Sequence, residues 1–512
     1  MNKVDGVLNI DLTNEKCKVS NNLFGLFFED INNSLDGGLY AELVRNRSFE
    51  FEEAFEGWNE VILGVGKTEI LSNESLNKKN PNYLRINCEE GSIGVANGGF
   101  GGFFLKKDTK YRISFYGRSS TNSTVEFFLQ NENGIKCCGE SFKLSNDWIK
   151  YEKIVKVEKE SKEGVLRIML NEKGIADLDF ISVMPVETFA NKKNGMRKDM
   201  ATSLKDIKPA FFRFPGGCIV EGKTMDNAYL WKETIGDLTE RRGKENLWGY
   251  HQSFGVGYHE YFEFCEDIGA EPVPILNVGM ACQARKGIHS HIEDIDIYIQ
   301  DALDLIEYCN GDISTKWGEQ RAKNGHPEPF NLKFLGIGNE QWGDDYYPRY
   351  EKFYDVVKEK YPNIKYIFAS GPFADGFLYK DAWKWAKKSG KADIIDEHYY
   401  MAPDWFLQNI NRYDDYDRNG PKVFAGEYAA HNSQRKNNLE VALAEAAYMT
   451  GLEKNSDVVV MAAYAPLFAK YNEFQWAPNL IWFNNETIVK TPSYYVQNLF
   501  GNNVGEIVVT SE

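Results

Sequence analysis

Two glutamates follow apolar, strand-like runs and could form a catalytic pair. Glu340 ends the apolar part of FLGIGNEQWG (334–343), and Glu427 ends that of KVFAGEYA (422–429). Two carboxyl groups across a cleft suit glycoside hydrolysis, in which one group protonates the leaving oxygen and the other attacks carbon. Arg213, in FRFPGG, could keep Glu427 ionised, while burial or a nearby negative charge could keep a proton on the other carboxyl group. These residues predict paired-carboxylate chemistry.

Polar residues also follow several other apolar runs. Loops are exposed to solvent, so any one of these polar residues is most often an ordinary loop residue. A set of them at the carboxyl ends of parallel strands would instead converge on one pocket. The set comprises Glu29, Asp30, Arg213, Asn277, Asn339, Glu340, Glu397, His398 and Glu427. Asn339 could bind a sugar 2-hydroxyl, a contact that strengthens in the transition state. Four aromatic residues could stack on a sugar ring, namely Trp342, Tyr399, Tyr400 and Trp476.

Eight apolar runs alternate with helical patterns and predict an α/β fold, a (β/α)8 TIM barrel. Helical patterns include 295–309 and 437–454. This alternation favours a parallel sheet covered on both sides, and eight units favour a closed barrel over an open doubly wound sheet, which the count alone does not exclude. The predicted strands lie in FGLFFED (24–30) and at 210–217, 271–279, 332–340, 364–372, 392–400, 422–429 and 457–466.

The segment after the first barrel strand has a different pattern of apolar and polar residues. Short alternating runs split by Gly, Asn and Ser, such as KYRISFYGRSS (110–120), are typical of a β-sandwich inserted early in the chain. The predicted divisions are an N-terminal strand (Val7–Ile10) with the first barrel strand in 1–54, the inserted β-sandwich in 55–190, the rest of the barrel in 191–485, and a rudimentary C-terminal β region in 486–512.

Composition narrows the classes of partner. The net charge of −16 and the pI near 5.2 argue against nucleic acid, because phosphate contacts need clustered Lys and Arg. The amino terminus has no apolar signal region and no run of 18 apolar residues occurs, so neither a signal peptide nor a membrane span is expected. The eight Cys lie mostly in apolar runs and indicate reduced thiols and a cytoplasmic location.

Several common cofactor-binding and catalytic motifs are incomplete or absent in this sequence. GIGNEQWG has Gln341 where the dinucleotide fingerprint GxGxxG needs Gly, and no GxSxG, GxxxxGK[ST] or CxxC occurs. His289 and His291 form an HxH, but without neighbouring ligands a solvated loop is the better interpretation. PGG at 215–217 fits a tight turn as well as a close backbone approach to a ligand. No cofactor and no metal are expected.

The barrel motifs resemble those of the α-L-arabinofuranosidases of glycoside hydrolase family 51. The resemblance spans nearly the whole sequence and is weaker in the inserted β-module, which is similar to the carbohydrate-binding-like insert of one subgroup. It implies a retaining, exo-acting enzyme that releases terminal arabinofuranose from arabinan- or arabinoxylan-derived oligosaccharides by double displacement. The matching stretches are 23–50, FFRFPGGCIVEG (211–222), FLGIGNEQWG (334–343), DEHYY (396–400) and FAGEYAA (424–430).

The resemblance also implies roles for individual residues. Glu340 would be the general acid/base and Glu427 the nucleophile, with carboxyl groups about 5–5.5 Å apart in a retaining enzyme. Arg213 would hold the nucleophile ionised, and Tyr400 would lie near it. The other substrate-binding residues would be Glu29, Asn339, Asn479 and Cys218, the last at a position where many members have Asn.

One departure from the family concerns the carboxyl terminus. Family members carry a C-terminal β-sandwich, which would begin near TPSYYVQNLFGNN (491–503), whereas this sequence ends at Glu512. The sandwich is therefore expected to be truncated, and the strand at Val7–Ile10 to lack most of its partners, which would favour aggregation. The resemblance further implies a homo-oligomer.

Two other functions stay open at this level. A family-51 glycosidase could act on β-linked glucan or xylan, because the shape of the pocket floor is not readable in the sequence. A non-catalytic carbohydrate-binding relative could keep the β-module and the barrel, although both candidate glutamates are present.

Overall fold

The computed structural model describes residues 8–511, with short 3-10 turns between the main elements. The strands of the first part are β1 (Ile10–Lys18), β2 (Phe24–Phe27), β3 (Trp58–Leu71), β4 (Tyr83–Asn97), β5 (Phe103–Leu105), β6 (Lys110–Arg118), β7 (Thr124–Gln130), β8 (Lys136–Lys143), β9 (Ile149–Lys156), β10 (Ser161–Leu170) and β11 (Gly174–Pro185).

Helices appear only after this part, among the residues described. The elements that follow are α1 (Lys198–Asp206), β12 (Phe211–Phe214), α2 (Cys218–Glu221), β13 (Lys244–Glu245), β14 (His251–Gln252), α3 (Tyr258–Ile268), β15 (Glu271–Leu276), α4 (Ile295–Asn310), α5 (Lys316–Lys323), β16 (Phe334–Ile337), α6 (Gly343–Lys360), β17 (Lys365–Ala369), α7 (Phe377–Ser389), β18 (Ile394–Met401), α8 (Pro403–Gln408), β19 (Lys422–Ala430), α9 (Leu439–Lys454), β20 (Val459–Tyr464), β21 (Phe468–Lys470), β22 (Ile481–Phe483), β23 (Ile488–Lys490), α10 (Pro492–Asn502) and β24 (Ile507–Ser511).

Eight parallel strands close into a barrel, which confirms the predicted fold class. Their order around the barrel is β2, β12, β15, β16, β17, β18, β19 and β20, and β20 pairs with β2 to close the ring. The strands are buried on both faces because helices cover the outside, which is why they read as continuous apolar runs. Several predicted runs extend past the observed strands, since their last polar residues belong to loops.

The helices pack on the barrel through regular apolar stripes. In α4, Ile295, Ile299, Ala302 and Ile306 recur at three- and four-residue spacing and are buried, so one face of the helix lies against the strands. The core of the barrel is continuous with these helices. The predicted helices at 295–309 and 437–454 are confirmed as α4 and α9.

The inserted module is an antiparallel sheet with its own core. Its strands run in the order β8, β7, β10, β4, β11, β6 and β9, with β3 paired to β4 and β5 to β10. Buried residues alternate with half-buried ones, as in β6 and β7, and the buried set includes Phe115 and Phe127. Val44 and Phe49 belong to the same core, so residues that precede the sheet also pack inside it.

The first and last strands of the described chain pair with each other. β1 and β24 form a two-stranded antiparallel sheet that leaves Ile10 and Leu12 exposed. The predicted strand at Val7–Ile10 is therefore displaced: the strand begins at Ile10, and Val7 lies outside the described residues. Between residues 8 and 511, no helix has the length and apolar character needed to cross a membrane.

Candidate active site

The barrel brings Glu340 and Glu427 together at the carboxyl ends of its strands. Glu340 follows β16, and Glu427 lies within β19, opposite His398 of β18 in the strand register. The side chains of Glu340 and Glu427 are 13% and 7% exposed. One oxygen of each carboxylate and a ring nitrogen of His398 all lie within 4.8 Å of one another. The two carboxyl groups therefore converge with His398 on one largely buried point of the barrel rim, which is called the pocket below.

A tight turn after β16 aims Glu340 into this pocket. Gly338 and Glu340 both have left-handed backbone conformations, with φ of 83° and 50°. Left-handed backbone is uncommon for a glutamate, so the surrounding structure must hold it there. Part of that support is Gln341, whose side-chain oxygen accepts a hydrogen bond from the Asn339 amide at 3.1 Å.

Arg213 connects three side chains beneath the pocket. From β12, its Nη1 donates to Asp396 Oδ2 at 2.8 Å, and its Nη2 donates to Asn339 Oδ1 at 2.7 Å and to Glu427 Oε1 at 3.3 Å. The guanidinium is fully buried. The predicted contact with Glu427 is present, but the shorter ion pair is with Asp396, a residue that the sequence analysis did not single out.

His398 lies between the two glutamates. Its Nδ1 is 2.9 Å from Glu340 Oε1 and 3.7 Å from Glu427 Oε2, and its Nε2 is 3.2 Å from Asp396 Oδ2. Burial disfavours the charged imidazole, but the carboxylates of Glu427 and Asp396 outweigh burial and raise the pKa of His398 to about 10. At neutral pH His398 is therefore an imidazolium, a positive charge in addition to that of Arg213.

The pKa values of the two glutamates respond to this charge. Burial opposes ionisation of Glu340, yet the hydrogen bond and charge of His398 hold the pKa of Glu340 below its ordinary value. Burial raises the pKa of Glu427, while the charges of His398 and Arg213 oppose that rise. Tyr400 donates its O–H to Glu427 Oε2 at 2.7 Å. These pKa shifts favour an imidazolium at His398 and a carboxylate at Glu340 at neutral pH.

The PGG turn passes directly under the pocket. A Cβ on Gly217 would lie 2.8 Å from Glu427 Oε1 and 3.3 Å from Glu29 Oε2. A Cβ on Gly216, whose φ is 152°, would lie 2.6 Å from Glu29 Cγ. Glycine is thus required here for close approach of the backbone to side chains, in addition to the turn. Cys218 follows, with Sγ 3.6 Å from Glu340 Oε2.

Glu29 forms another wall of the pocket. Its Oε1 accepts hydrogen bonds from the Ile219 amide at 2.9 Å and from Trp248 Nε1 at 3.2 Å. Burial and then the negative charge of Glu427 raise the pKa of Glu29 to about 8. At neutral pH this carboxyl group therefore carries a proton and can donate it in a hydrogen bond to a ligand hydroxyl.

Asn339 and Asn479 are both fully buried and held by other side chains. Asn339 accepts from Arg213, and its Nδ2 donates to Glu221 Oε2 at 3.0 Å, which leaves one N–H and one lone pair. Asn479 accepts from Asn32 Nδ2 at 2.8 Å and donates to the Trp476 carbonyl at 2.7 Å. Asn479 therefore fixes the loop that carries Trp476, whose ring lies 5.4 Å from that of Tyr400.

Some residues of the predicted convergent set point elsewhere. Glu397 accepts hydrogen bonds from Tyr379 and Trp383 of α7, and the Tyr399 hydroxyl also contacts it. Both Glu397 and Tyr399 face the outer helices, because successive residues of a strand point to opposite faces. The expectation that they reach the pocket is wrong. Asp30 is likewise turned away, accepting from Tyr250 and Gln252.

Three residues of the site were not among those predicted from the sequence. Asp396 shares the inner face of β18 with His398 and Tyr400, so the alternation in DEHYY could have identified it. Glu221, whose pKa burial raises well above its ordinary value, holds Asn339. Trp248 caps Glu29 from a distant loop, and nothing in its local sequence indicates that position.

Asn277 and the HxH pair serve local structure. Asn277 Oδ1 accepts from the amides of Gly279 and Met280 and so shapes the loop after β15. In the described part of the chain, neither His289 nor His291 belongs to a cluster of three metal-ligating side chains.

A closed parallel barrel with two adjoining buried glutamates at its carboxyl-terminal rim defines the chain as a barrel glycoside hydrolase. Family models agree: residues 203–418 match an α-L-arabinofuranosidase 1 domain, and residues 415–512 match an α-L-arabinofuranosidase C-terminal domain. The chain belongs to the α-L-arabinofuranosidases of glycoside hydrolase family 51, as its motifs implied.

Individual relatives extend over almost the whole chain. An extracellular exo-α-L-arabinofuranosidase of Streptomyces chartreusis is 39% identical over 99% of this chain and 62% of its own length. α-L-Arabinofuranosidase 1 of Arabidopsis thaliana is 36% identical over 96% of this chain and 73% of its own length. A solved arabinose-bound family-51 α-L-arabinofuranosidase, MgGH51, superimposes with a TM-score of 0.90 at 30% identity, over 99% of this chain and 84% of that one.

Proposed function

We propose that the chain is a retaining, exo-acting α-L-arabinofuranosidase that releases terminal arabinofuranose from oligosaccharides derived from arabinan or arabinoxylan. The observation that carries the proposal is the adjacency of Glu340 and Glu427, whose nearest oxygens lie within 4.8 Å. Retaining glycosidases hold their carboxyl groups about 5–5.5 Å apart, whereas inverting enzymes need room for a water between them.

The first step forms a glycosyl ester on Glu427. Its Oε atom attacks the anomeric carbon, the bond to the leaving oxygen breaks, and Glu340 protonates that oxygen. Arg213 and the Tyr400 hydroxyl stabilise the carboxylate before attack. The neutral Glu29 and the free N–H of Asn339 bind sugar hydroxyls, and Cys218 contributes its thiol to the wall beside Glu340.

His398 supplies the proton that Glu340 delivers. The raised pKa of His398 keeps its imidazole protonated at neutral pH, and Nδ1 lies 2.9 Å from Glu340 Oε1. A bound sugar excludes water and weakens charge separation, so the proton moves to Glu340 and leaves a neutral imidazole. In the second step Glu340 takes a proton from water, the hydroxide attacks the ester, and Glu427 leaves as a carboxylate. The proton then returns to His398.

The burial of the two glutamates supports terminal cleavage. Both glutamates are largely buried at the bottom of the barrel rim, so a single end-standing ring reaches them more readily than the middle of a polymer. The solved relative binds arabinose, and the Streptomyces relative is named an exo-acting enzyme.

The test compares aryl glycosides that differ only in the sugar. We expect release of 4-nitrophenol from the α-L-arabinofuranoside and little from the α-L-arabinopyranoside, β-D-xyloside or β-D-glucoside. Glu427→Ala should lose about 10⁴-fold or more in kcat because no other group can form the ester. The exposed Glu440→Ala, on α9, is the control and should behave as wild type.

Glu340→Ala separates the two roles. With an activated aryl leaving group the first step needs no acid, so the glycosyl ester should accumulate in a burst. Azide should then restore turnover and yield the α-L-arabinofuranosyl azide, because azide needs no general base. An azide product of inverted configuration, or preferential hydrolysis of the β-D-xyloside, would contradict the proposal.

We also propose a cytoplasmic location. All eight cysteines are unpaired thiols, which suits a reducing compartment, although the Streptomyces relative is named extracellular. Activity that co-fractionates with a cytoplasmic marker in the producing cells would support this location, and activity in the culture medium would refute it.

A further inference from the structure

A second cluster of reactive side chains adjoins the catalytic pocket. Cys218, Glu221 and Cys282 each place a potential ligand atom within 4.8 Å of the others. Cys218 and Glu221 are the first and last residues of α2, three positions apart, and so lie on one face of that turn. The Cys282 amide donates to the Gly222 carbonyl at 3.0 Å and ties its loop to the end of α2. The three side chains are thus held together by backbone structure.

The proposed reaction uses Cys218 only as part of the pocket wall and Glu221 only as a support for Asn339, and it gives Cys282 no role. Glu221 is 1% exposed and accepts hydrogen bonds from Asn339 Nδ2 at 3.0 Å and Gln341 Nε2 at 3.4 Å. Among residues 8–511, no lysine or arginine forms an ion pair with it. Cys282 contacts neither glutamate of the catalytic pair, and Arg285 Nη1 lies 3.3 Å from its sulfur.

We propose that Cys218, Cys282 and Glu221 bind one thiophilic divalent cation of the zinc class, and that the bound ion inhibits glycoside hydrolysis. The inhibitory part rests on the proposed function, whereas the binding part does not. Two thiolates and a carboxylate form a ligand set that binds zinc in preference to magnesium or calcium. Zinc–sulfur bonds of about 2.3 Å in a tetrahedron place two sulfurs about 3.8 Å apart, so a small side-chain movement completes the site.

The charge balance also favours a cation. Binding releases the protons of the ligands, including the one on the Glu221 carboxyl group, to solvent. It leaves two thiolates and one carboxylate around a divalent ion, one negative charge in excess. The Arg285 guanidinium beside Cys282 compensates that charge. Such a site leaves the fourth position of the ion open to another oxygen.

Glu340 lies within reach of that fourth position. Its Oε2 is 3.6 Å from Cys218 Sγ. An ion on the sulfur would therefore bind the Glu340 carboxylate directly, or its positive charge would keep that carboxylate ionised. An ionised Glu340 cannot protonate the leaving oxygen, and Cys218 would be withdrawn from the sugar pocket. Occupation of the site should therefore lower kcat.

Binding is measured first, with Co²⁺ as the probe. The full chain, reduced with a phosphine under argon, should bind one Co²⁺ with the near-ultraviolet absorption of thiolate-to-cobalt charge transfer, and Zn²⁺ should displace it. Cys282→Ser should weaken Co²⁺ and Zn²⁺ binding roughly 100-fold or more, because a serine hydroxyl does not replace a thiolate. Cys17→Ser, which removes a distant thiol in β1, is the matched control and should bind as wild type.

Inhibition is measured second, on the aryl α-L-arabinofuranoside. Zn²⁺ should inhibit the wild type and the Cys17→Ser variant, while Cys282→Ser should keep its metal-free kcat/KM and lose the inhibition. Equal inhibition of Cys282→Ser would overturn the proposal and place the ion at Glu340, His398 and Glu427 instead. Should Cys282→Ser fail to fold, loss of Co²⁺ absorption in Glu221→Gln provides the same binding test. A chain that binds Co²⁺ through thiolates but hydrolyses no glycoside would leave the site intact and refute only the proposed function.

Discussion

His398 interacts electrostatically with three carboxyl groups of the pocket, those of Asp396, Glu427 and Glu340. Asp396 and Glu427 stabilise its imidazolium, and that imidazolium in turn lowers the pKa of Glu340. A proton shared among these groups explains how a buried pocket can contain two glutamates at neutral pH without excessive repulsion. The same arrangement makes stability depend on pH, because the proton is bound in the folded state and lost on unfolding.

The folded pKa of His398, about 10, lies above the ordinary value of 6.5. Its contribution to stability is therefore complete below pH 6.5 and is lost as the pH rises towards 10. We expect the free energy of unfolding to fall over that window by up to about 5 kcal/mol more in the wild type than in His398→Asn. Denaturant titrations between pH 6 and 10 measure this difference. The exposed His291→Asn should retain the wild-type slope, and parallel curves for wild type and His398→Asn would contradict the assignment.

Two elements, the PGG turn and strand β18, decide which side chains reach the pocket. In β18 the alternation of faces sends Asp396, His398 and Tyr400 inward, while Glu397 and Tyr399 pack against outer helices. In the PGG turn the absence of side chains lets the backbone pass beneath Glu427. The geometry of the site thus depends on strand direction and on glycine as much as on the acidic residues.

Gly217→Ala tests the role of the turn. The backbone of Gly217 has φ −97° and ψ −119°, and an added Cβ there would lie 2.8 Å from Glu427 Oε1. Because displacement of a catalytic group by about 1 Å can cost 10²-fold, we expect kcat/KM to fall about 100-fold with an unchanged circular dichroism spectrum. Gly98→Ala, at a glycine whose Cβ would meet nothing within 4 Å, should leave kcat/KM unchanged. Full activity of Gly217→Ala would show that the carboxylate is free to move.

At the scale of the whole molecule, the loop between β4 and β5 is one of the places where the inserted module contacts the barrel. Phe100, in the turn between β4 and β5, packs over Gly37, and its carbonyl accepts from Lys470 Nζ at 2.7 Å. Asn485 Nδ2, in the turn between β22 and β23, lies 2.7 Å from the Gly102 carbonyl and 3.1 Å from that of Gly101. These contacts fix the module against the barrel without entering the catalytic pocket.

Asn485→Ala should therefore affect stability and not chemistry. The substitution removes the Asn485 donor to the half-buried Gly102 carbonyl, so we expect the free energy of unfolding to fall by about 1–2 kcal/mol. The kcat/KM for the aryl arabinofuranoside should stay within about twofold of wild type, a change of less than 0.5 kcal/mol in the barrier. The exposed Asn133→Ala in the module should change neither quantity. A large loss of activity in Asn485→Ala would show that the module orients the pocket.

Much of this molecule is determined by local pattern. Runs buried on both faces indicated the eight parallel strands, and their polar ends indicated Glu340, Glu427 and Arg213, because parallel strands must present their carboxyl ends at one rim. The inserted β-module followed from its alternating runs. These inferences hold because hydrophobic periodicity and strand chemistry act over a few residues.

Tertiary structure alone decided the remaining features. The raised pKa of His398 depends on Asp396 of β18, Glu427 of β19 and Glu340 after β16. The hydrogen bond from Trp248 to Glu29 joins residues more than two hundred positions apart. The cluster of Cys218, Glu221 and Cys282 unites α2 with the loop after β15. Electrostatic coupling and close packing depend on distances through space, which the spacing of residues along the chain does not specify.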